Sequence, residues 1–209
     1  MKIAPLFHSY ELLVDKAESA FHETTKNYGQ CVTCHRHCSD CCHAIFGLFL
    51  IEAVYLQGHF ARLSDPLQQE VLQRCRQADE ELEELKRRFE AEGPESEDAV
   101  NALARERMRC PLLDENQDCV LYRYRPITCR VYGIPTAVHR KVRACSKNHF
   151  EKGQTYPVFD LDGTYRDLHV LSTELLKTEG QEDLEKASLL ISVSAALQTP
   201  RERLLSDLP

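Results

Sequence analysis

The chain has 209 residues, of which 43% are hydrophobic and 28% are charged, a balance typical of soluble globular proteins that excludes fibrous and wholly disordered chains. The formal net charge of −7 disfavours a nucleic-acid-binding protein whose entire surface is basic. The unusual feature of the composition is the presence of ten cysteines beside only two methionines.

The beginning of the chain does not resemble a signal peptide, because Pro5 and His8 interrupt the first residues. The longest apolar run, from Ala44 to Ile51, is far shorter than the roughly 20 residues that a membrane span needs. We therefore expect a cytoplasmic protein that does not bind a membrane. Thiols stay reduced in that compartment, where clustered cysteines usually indicate a metal site rather than disulfide bonds.

The first half of the chain is predicted to be helical. Apolar spacing predicts a helix from Leu6 to about Tyr28 that ends at Gly29, and a second, buried helix over His43–Phe60 because its residues are apolar nearly all round. A third helix is expected to begin at Ser64-Asp65-Pro66 and to end at Gly93-Pro94. Its apolar stripe consists of Leu67, Val71, Cys75, Ala78, Leu82, Leu85 and Phe89. A short helix over Glu95–Met108 follows.

The second half is predicted to be less regular. Frequent Pro and Gly between Cys110 and Pro157 indicate loops, short strands and turns, and helical spacing returns at Leu168–Lys177 and Asp183–Leu197. The sequence therefore predicts a mainly α protein, a single domain (1–209) of packed helices around an irregular Cys-rich metal-binding loop region. That region spans 31–145, and helices at 1–30 and 165–209 flank it.

The cysteines form two clusters with recognisable spacing. Cys34 to Cys42 reads CxxxCxxCC, and a second set follows in the pieces Cys110-Pro111-Leu112-Leu113, Cys119-Val120-Leu121-Tyr122 and Arg125-Pro126-Ile127-Thr128-Cys129-Arg130, with Cys145 at its end. This pattern over 31–145 resembles the bacterial CxxxCxxCC cysteine-cluster family (YkgJ-like), which is described as zinc- or iron-chelating. Cys31 is additional to the family pattern and Cys75 lies outside it.

The resemblance implies eight metal ligands. They are Cys34, Cys38, Cys41, Cys42, Cys110, Cys119, Cys129 and Cys145. Eight thiolates suit two sites of four ligands, or one site with spare thiols. Soft sulfur ligands select zinc, iron–sulfur clusters or Cu(I). The adjacent Cys41 and Cys42 point in different directions, which suits a wide [4Fe–4S] cluster, or a pair split between two sites, better than one zinc ion. We expect iron–sulfur, with zinc as the alternative.

Seven Lys or Arg and no acidic residue lie between Val120 and Phe150. Nearby cations would offset the charge of −2 on a four-thiolate site, although a solvated basic face or a less favoured nucleic-acid contact also fits this stretch. Elsewhere, Cys75 is expected in the core, and the isolated Glu52 is expected to pair with an arginine of the basic stretch. His35, His37 and His43 are expected beside the site rather than among its ligands.

Three functions are compatible with these features. The first is an iron–sulfur protein that serves electron transfer, redox sensing or metal handling with a protein or redox partner. The second is a structural zinc module that mediates protein or nucleic-acid contacts. The third is a methyltransferase-like protein-modifying enzyme with an embedded cluster, because the resemblance includes a flagellin lysine-methylating branch. No glycine-rich nucleotide loop or paired catalytic carboxylates support the enzyme, so the sequence leaves catalysis undecided.

Overall fold

Seven α-helices and three short strands form the part of the chain that the computed structural model describes, residues 3–92 and 106–206. The helices are α1 (Ala4–Tyr28), α2 (Leu50–Phe60), α3 (Asp65–Glu92), α4 (Ile127–Val131), α5 (Leu161–Thr178), α6 (Val193–Gln198) and α7 (Arg201–Ser206). The strands are β1 (Thr136–Val138), β2 (Lys141–Arg143) and β3 (Phe159–Asp160). The predicted mainly α, single-domain fold with cysteines in loops is confirmed.

Helix α2 is the centre of the core. It packs against α1, α5, α6 and α7, and its side chains at Leu50, Ile51, Ala53 and Val54 are fully buried. A helix that contacts partners on several sides has no face for solvent, which is why its sequence is apolar nearly all round. The burial predicted for this segment is therefore correct.

The predicted start of that helix at His43 is wrong. Residues 44–49 are extended, and Leu48 exchanges backbone hydrogen bonds of 2.7 and 2.9 Å with Ile191. The same pairing interrupts the helix predicted over 183–197, which divides into a 3₁₀ turn (Leu184–Ser188), an extended stretch and α6. Apolar runs of this length are equally compatible with a buried helix and a buried extended segment, so periodicity alone could not separate them.

The long helices α1 and α3 agree with their predictions. Gly29 follows α1, but its φ of −57° is right-handed, and the chain continues into a 3₁₀ turn (Gly29–Cys31) rather than a left-handed cap. The stripe of α3 faces the core, with Val71 and Cys75 fully buried. The helix predicted over Glu95–Met108 lies mostly outside the described residues. Its last part is not helical, because Arg107 forms a β-bridge with Ala44.

Helix α5 begins seven residues before the predicted start at Leu168. The Asp160 side chain accepts a hydrogen bond of 2.8 Å from the backbone N–H of Gly163 and so caps the first turn of this helix. Strand β1 pairs antiparallel with β2 and parallel with β3, which leads the chain from the Cys-rich loops into α5. Among the described helices, none combines the length and the apolar character needed to cross a bilayer.

Candidate metal centre

Backbone hydrogen bonds join the two cysteine clusters. The first cluster ends in a 3₁₀ turn (Asp40–His43), and the carbonyl of Cys42 accepts a hydrogen bond of 2.7 Å from the N–H of Cys110. These two residues are 68 positions apart in the sequence, so only the tertiary structure brings them together. The beginning of the second cluster therefore lies directly beside the end of the first.

A tight hairpin brings Cys110 and Cys119 together. Leu113 and Cys119 form a β-bridge, and Leu112 accepts a hydrogen bond of 2.8 Å from the N–H of Val120. At the tip, the Asp114 carboxylate accepts hydrogen bonds from the N–H groups of residues 116 and 118, a turn that aspartate stabilises with its own side chain. Leu112 and Leu113 are buried, so they anchor the hairpin in the core.

Helix α4 presents Cys129, and Glu52 fixes the start of this helix. Pro126 precedes the helix, and the N–H of Ile127 donates a hydrogen bond of 3.1 Å to Oε1 of Glu52, whose Oε2 accepts from the N–H of Phe49 at 3.3 Å. Burial raises the pKa of Glu52 to about 7. The expected ion pair with an arginine is thus not the main contact of Glu52, because its two oxygens bind backbone N–H groups.

The arginine that follows Cys129 clamps this loop to α1. Arg130 is only 4% exposed, and it donates hydrogen bonds of 2.8 and 2.6 Å to the carbonyls of Arg125 and Arg123. Its Nη1 also donates to the Glu18 carboxylate on α1. A buried guanidinium with its donors satisfied in this way holds the backbone around Cys129 in one conformation.

Five of the predicted ligands line one cavity of about 80 Å³. This buried cysteine group consists of Cys41, Cys42, Cys110, Cys119 and Cys129. The remaining wall is largely apolar, with side chains such as Ile45, Phe46 and Leu82, and Arg125 is its only lysine or arginine among the described residues. A group of sulfur donors inside an apolar wall is the composition of a soft-metal site shielded from water.

The thiols of the buried cysteine group differ in acidity. A hydrogen bond from Cys42 lowers the pKa of Cys41 to about 7, and the same bond raises the pKa of Cys42. Burial raises the pKa of Cys110 to about 12, that of Cys119 to about 11 and that of Cys129 well above its usual value. The positive charge of Arg125 acts to lower the pKa of Cys41, Cys119 and Cys129.

The other three predicted ligands, Cys34, Cys38 and Cys145, form an outer cysteine group. Burial raises the pKa of Cys34 to about 12, and the charges of Cys38, Cys145 and Cys41 act in the same direction. The thiol of Cys145 donates a hydrogen bond of 3.2 Å to Oδ2 of Asp40. Cys34 is exposed, Cys38 is half-buried and Cys145 is buried, so solvent reaches this group mainly at Cys34.

Specific contacts assemble the outer cysteine group. The Asn148 side chain accepts hydrogen bonds from the N–H (2.9 Å) and the hydroxyl (2.8 Å) of Thr33, which ties the loop before Cys34 to the loop after Cys145. A Cβ at Gly133 would lie 2.3 Å from the Cys34 sulfur, so only glycine permits this close approach.

Asp40 carries the charge of the outer group. Arg107 and Lys147 lie 2.8 and 3.3 Å from its Oδ1. Although burial acts to raise it, the hydrogen bond from Cys145 and these two cations keep the pKa of Asp40 below its usual value. Asp40 was not among the ligands predicted from the sequence. Its position directly before the CC pair was the only available signal.

The donor set fits a metal, although the thiols hydrogen-bond to one another and to Asp40. As the side chains stand, no three Cys, His, Asp or Glu residues within 3–92 and 106–206 are arranged to hold one ion. The chemistry of the buried cysteine group nevertheless fits a soft metal, and two buried nitrogens of Arg125 have no hydrogen-bond partner. Five sulfurs and a cation with free donors are complementary to an anionic metal–sulfur centre.

Cys75 lies in the core, as its place in the apolar stripe predicted, whereas Cys31 and the three histidines lie near the two cysteine groups. Cys75 is fully buried in the stripe of α3, and its carbonyl accepts a hydrogen bond from Ser194. His35, His37 and His43 each direct Nδ1 to a backbone carbonyl, at 2.5, 3.0 and 3.0 Å. Cys31 is buried beside the outer group, where its carbonyl accepts a hydrogen bond from the N–H of His149.

The region that contains both cysteine groups matches a known family. A model of the family CxxCxxCC, described as "Putative zinc- or iron-chelating domain", matches residues 30–146. The chain belongs to this family. It has three residues between Cys34 and Cys38, where the family's name has two between its first two cysteines. Searches of the curated proteins and of the solved structures found no match to this chain.

Membership of the chelating family supports a metal-binding role for its cysteines. The match covers all ten cysteines, including Cys75. It includes both the buried and the outer cysteine group. The description names zinc and iron as alternatives, so the type of metal centre is a question for the chemistry of the site.

Proposed function

We propose that the buried cysteine group holds a [4Fe–4S] cluster, with which the protein serves electron transfer or redox sensing for a protein partner. The observation that carries the proposal is the convergence of five thiols on one largely apolar cavity. Four thiolates suffice for a cubane cluster, so the group supplies one sulfur more than is required. When bound, the cluster would supply a one-electron redox centre.

The adjacent Cys41 and Cys42 favour a cluster over a single ion. Both line the same cavity although neighbouring side chains diverge. A zinc ion requires all four of its sulfurs at about 2.3 Å from one point, whereas a cubane offers a separate iron to each sulfur. The site around the pair also excludes much of the solvent, which is a property of iron–sulfur centres that keep a defined potential.

The free thiols support a reducing location. None of the ten cysteines forms a disulfide bond, which is the form expected in the cytoplasm. We therefore propose a cytoplasmic protein. The cluster would also stabilise the fold, because the loops that carry its ligands contain few regular hydrogen bonds of their own.

The outer cysteine group favours a second, zinc-type site. Its three thiols and the Asp40 carboxylate provide four donors of the kinds that zinc accepts, and the Cys145 sulfur already lies 3.2 Å from Oδ2 of Asp40. Such a site would join residues 34–40 to the loop at 145. We propose this zinc site as the alternative or additional function of the chain.

The test is anaerobic purification of the full chain with analysis of iron, zinc and acid-labile sulfide beside the visible spectrum. The proposal predicts equal iron and sulfide and a broad visible absorption that dithionite bleaches. A colourless protein with stoichiometric zinc would replace the cluster with the zinc module.

Two serine variants assign the centres. Because the buried cysteine group has five thiols for four ligand positions, the double variant Cys110→Ser/Cys119→Ser is expected to remove the visible absorption, whereas Cys145→Ser is expected to retain it and to lower only the zinc content. Cys75→Ser is the matched control, because Cys75 is buried outside both groups and should leave both metals in place. A folded wild-type protein that binds neither iron nor zinc would refute the proposed function.

A further inference from the structure

Arg125 is buried at the cavity of the buried cysteine group with two donors unused. Its side chain is 15% exposed. Within the described residues, four buried side-chain nitrogens lack a hydrogen-bond partner, and two of them are Nε and Nη1 of Arg125. Because a buried donor without an acceptor costs about 1–3 kcal/mol, this arrangement calls for a partner that the polypeptide itself does not provide.

The surrounding residues hold the guanidinium of Arg125 in place. Its Cζ lies 3.9 Å from the centre of the Tyr122 ring, and Nη2 lies 3.8 Å from the Glu18 carboxylate. The Arg125 carbonyl accepts a hydrogen bond from Arg130. The backbone carbonyl, the flat face of the guanidinium and Nη2 of Arg125 therefore each have a contact in the protein. Nε and Nη1 have no acceptor in the protein.

The other unpaired nitrogens have a different setting. The remaining two belong to Arg74 and Arg109, and neither residue lines the cavity of the buried cysteine group. Arg74 donates a hydrogen bond to the Pro111 carbonyl, and Arg109 pairs with Glu115. Arg125 alone combines two unused donors with a place in the wall of five thiols.

We propose that Arg125 binds the metal–sulfur centre itself, by donating hydrogen bonds from Nε and Nη1 to its sulfur atoms and by offsetting its negative charge. This inference rests on the proposed metal centre in the buried cysteine group. A centre with four thiolate ligands is a dianion, whether it contains zinc or a [4Fe–4S]²⁺ core. Hydrogen bonds from a charged donor are about twice as strong as neutral ones, and they are worth most where water is excluded.

The proposal requires arginine rather than any cation. A guanidinium presents its N–H donors as a rigid planar fork, in which Nε and Nη1 point in different directions and so reach different sulfur atoms of the centre, whereas a lysine ammonium is a point charge on a flexible stem. Lysine at this position would keep the charge and lose the fork. The two contributions can therefore be separated by substitution.

The test compares the wild-type chain with Arg125→Gln, Arg125→Lys and the control Arg123→Gln, each purified anaerobically with its native metal. Arg123 is two residues away and exposed, and its contact with Arg130 uses the backbone carbonyl, which the substitution retains. The measurements are the metal content, the rate of metal release to a chelator and, for iron, the reduction potential. Circular dichroism monitors the fold.

Arg125→Gln is expected to release metal at least about tenfold faster than wild type, as the loss of one charge-assisted contact of 1.4 kcal/mol or more implies. Its reduction potential should fall, because reduction adds negative charge beside a site that has lost a positive one. Arg125→Lys should keep a potential near that of wild type and release metal at an intermediate rate. Arg123→Gln should match wild type in both measurements.

Equal release rates and potentials for Arg125→Gln and Arg123→Gln would overturn the inference. If Arg125→Gln does not fold, Arg125→Lys decides, because an unchanged release rate in that variant would equally overturn the role of the fork. A wild-type chain that binds no metal is a different outcome, since it refutes the proposed function and not only the role of Arg125.

Discussion

Replacing Glu52 by glutamine tests how the core supports the site. Glu52 lies in the first turn of α2 and is 3% exposed. Its carboxylate reaches the start of α4 and accepts hydrogen bonds from the backbone N–H groups of Phe49 and Ile127. Glutamine has nearly the same shape and cannot ionise. The substitution Glu52→Gln therefore removes the buried charge while one oxygen remains as an acceptor.

The size of the expected change in the free energy of unfolding follows from the raised pKa of Glu52. Between pH 4.5, the usual pKa of a glutamate, and about pH 7, the raised pKa of Glu52, the folded protein binds a proton at this residue that the unfolded chain has released. Stability therefore falls as the pH rises through this window, by about 3 kcal/mol at 1.36 kcal/mol per pH unit. The free energy of unfolding of Glu52→Gln relative to wild type should rise by about 2–3 kcal/mol between pH 5 and pH 8.

The assay is thermal unfolding of both proteins, in the same metal-loaded state, at several pH values from 5 to 8. The difference between the two proteins cancels the pH dependence of the thiols they share. For a chain of this size, 2–3 kcal/mol corresponds to a relative change in Tm of roughly 5–10 °C. Glu81→Gln, on the exposed face of α3, serves as the control and should show no such trend. Parallel curves for wild type and Glu52→Gln would refute a buried carboxyl that ionises in this range.

Three further predictions concern the site. Cys129→Ser should abolish most metal binding and lower the Tm, whereas Cys75→Ser should retain the metal; full metal content in Cys129→Ser would exclude that cysteine as a ligand. Gly133→Ala should lower the free energy of unfolding, measured by chemical denaturation, by about 1–3 kcal/mol, because the new Cβ would meet the Cys34 sulfur. In the same assay Gly58→Ala, where a Cβ has open space within α2, should raise the free energy of unfolding by about 0.5–1 kcal/mol. Metal affinity, measured by competition with an indicator, should fall about tenfold or more per pH unit as the pH is lowered from 8 to 6. The reason is that the buried thiols with raised pKa values must release protons to bind the metal. An affinity that does not change with pH would contradict this prediction.

The sequence predicted the long helices well, because α1 and α3 have amphipathic spacing over many turns. It failed at residues 44–49, where an apolar run is buried in extended form by pairing with Ile191. It also placed the start of α5 at Leu168, seven residues too late, because the Asp160 side chain caps this helix ahead of Leu161. In the first segment the backbone pairing with Ile191, and in the second a side-chain cap, decided between conformations that the residue types allow equally.

The division of the cysteines was not predictable from spacing. Eight matched positions suggested two sites of four ligands or one site with spare thiols; in the structure five of these cysteines line one cavity, and Cys145, from the other three, contacts Asp40. This division depends on long-range contacts such as the Cys110–Cys42 backbone hydrogen bond and the Thr33–Asn148 contact. Contacts of this kind follow from the tertiary fold and have no local signature.

The basic stretch also resolves into separate roles. The sequence allowed three roles for this stretch, namely compensation of thiolate charge, a solvated basic face or a nucleic-acid contact. Among the described residues, Arg125 is the one lysine or arginine that lines the cavity of the buried cysteine group. Arg130 instead clamps backbone carbonyls to Glu18, and Lys147 pairs with Asp40 in the outer group. Residues of the same charge, a few positions apart, thus stabilise three different parts of the same loop region.

The CC pair explains why a single segment can serve both groups. In the 3₁₀ turn (Asp40–His43), successive side chains are about 120° apart, so Asp40 can face the outer group while Cys41 and Cys42 line the cavity. Both thiols of the pair line the same cavity, and a carboxylate next to them faces the other group. This arrangement supports the proposed [4Fe–4S] cluster, because a cubane is wide enough to bind diverging sulfurs, whereas a single ion needs them at one point.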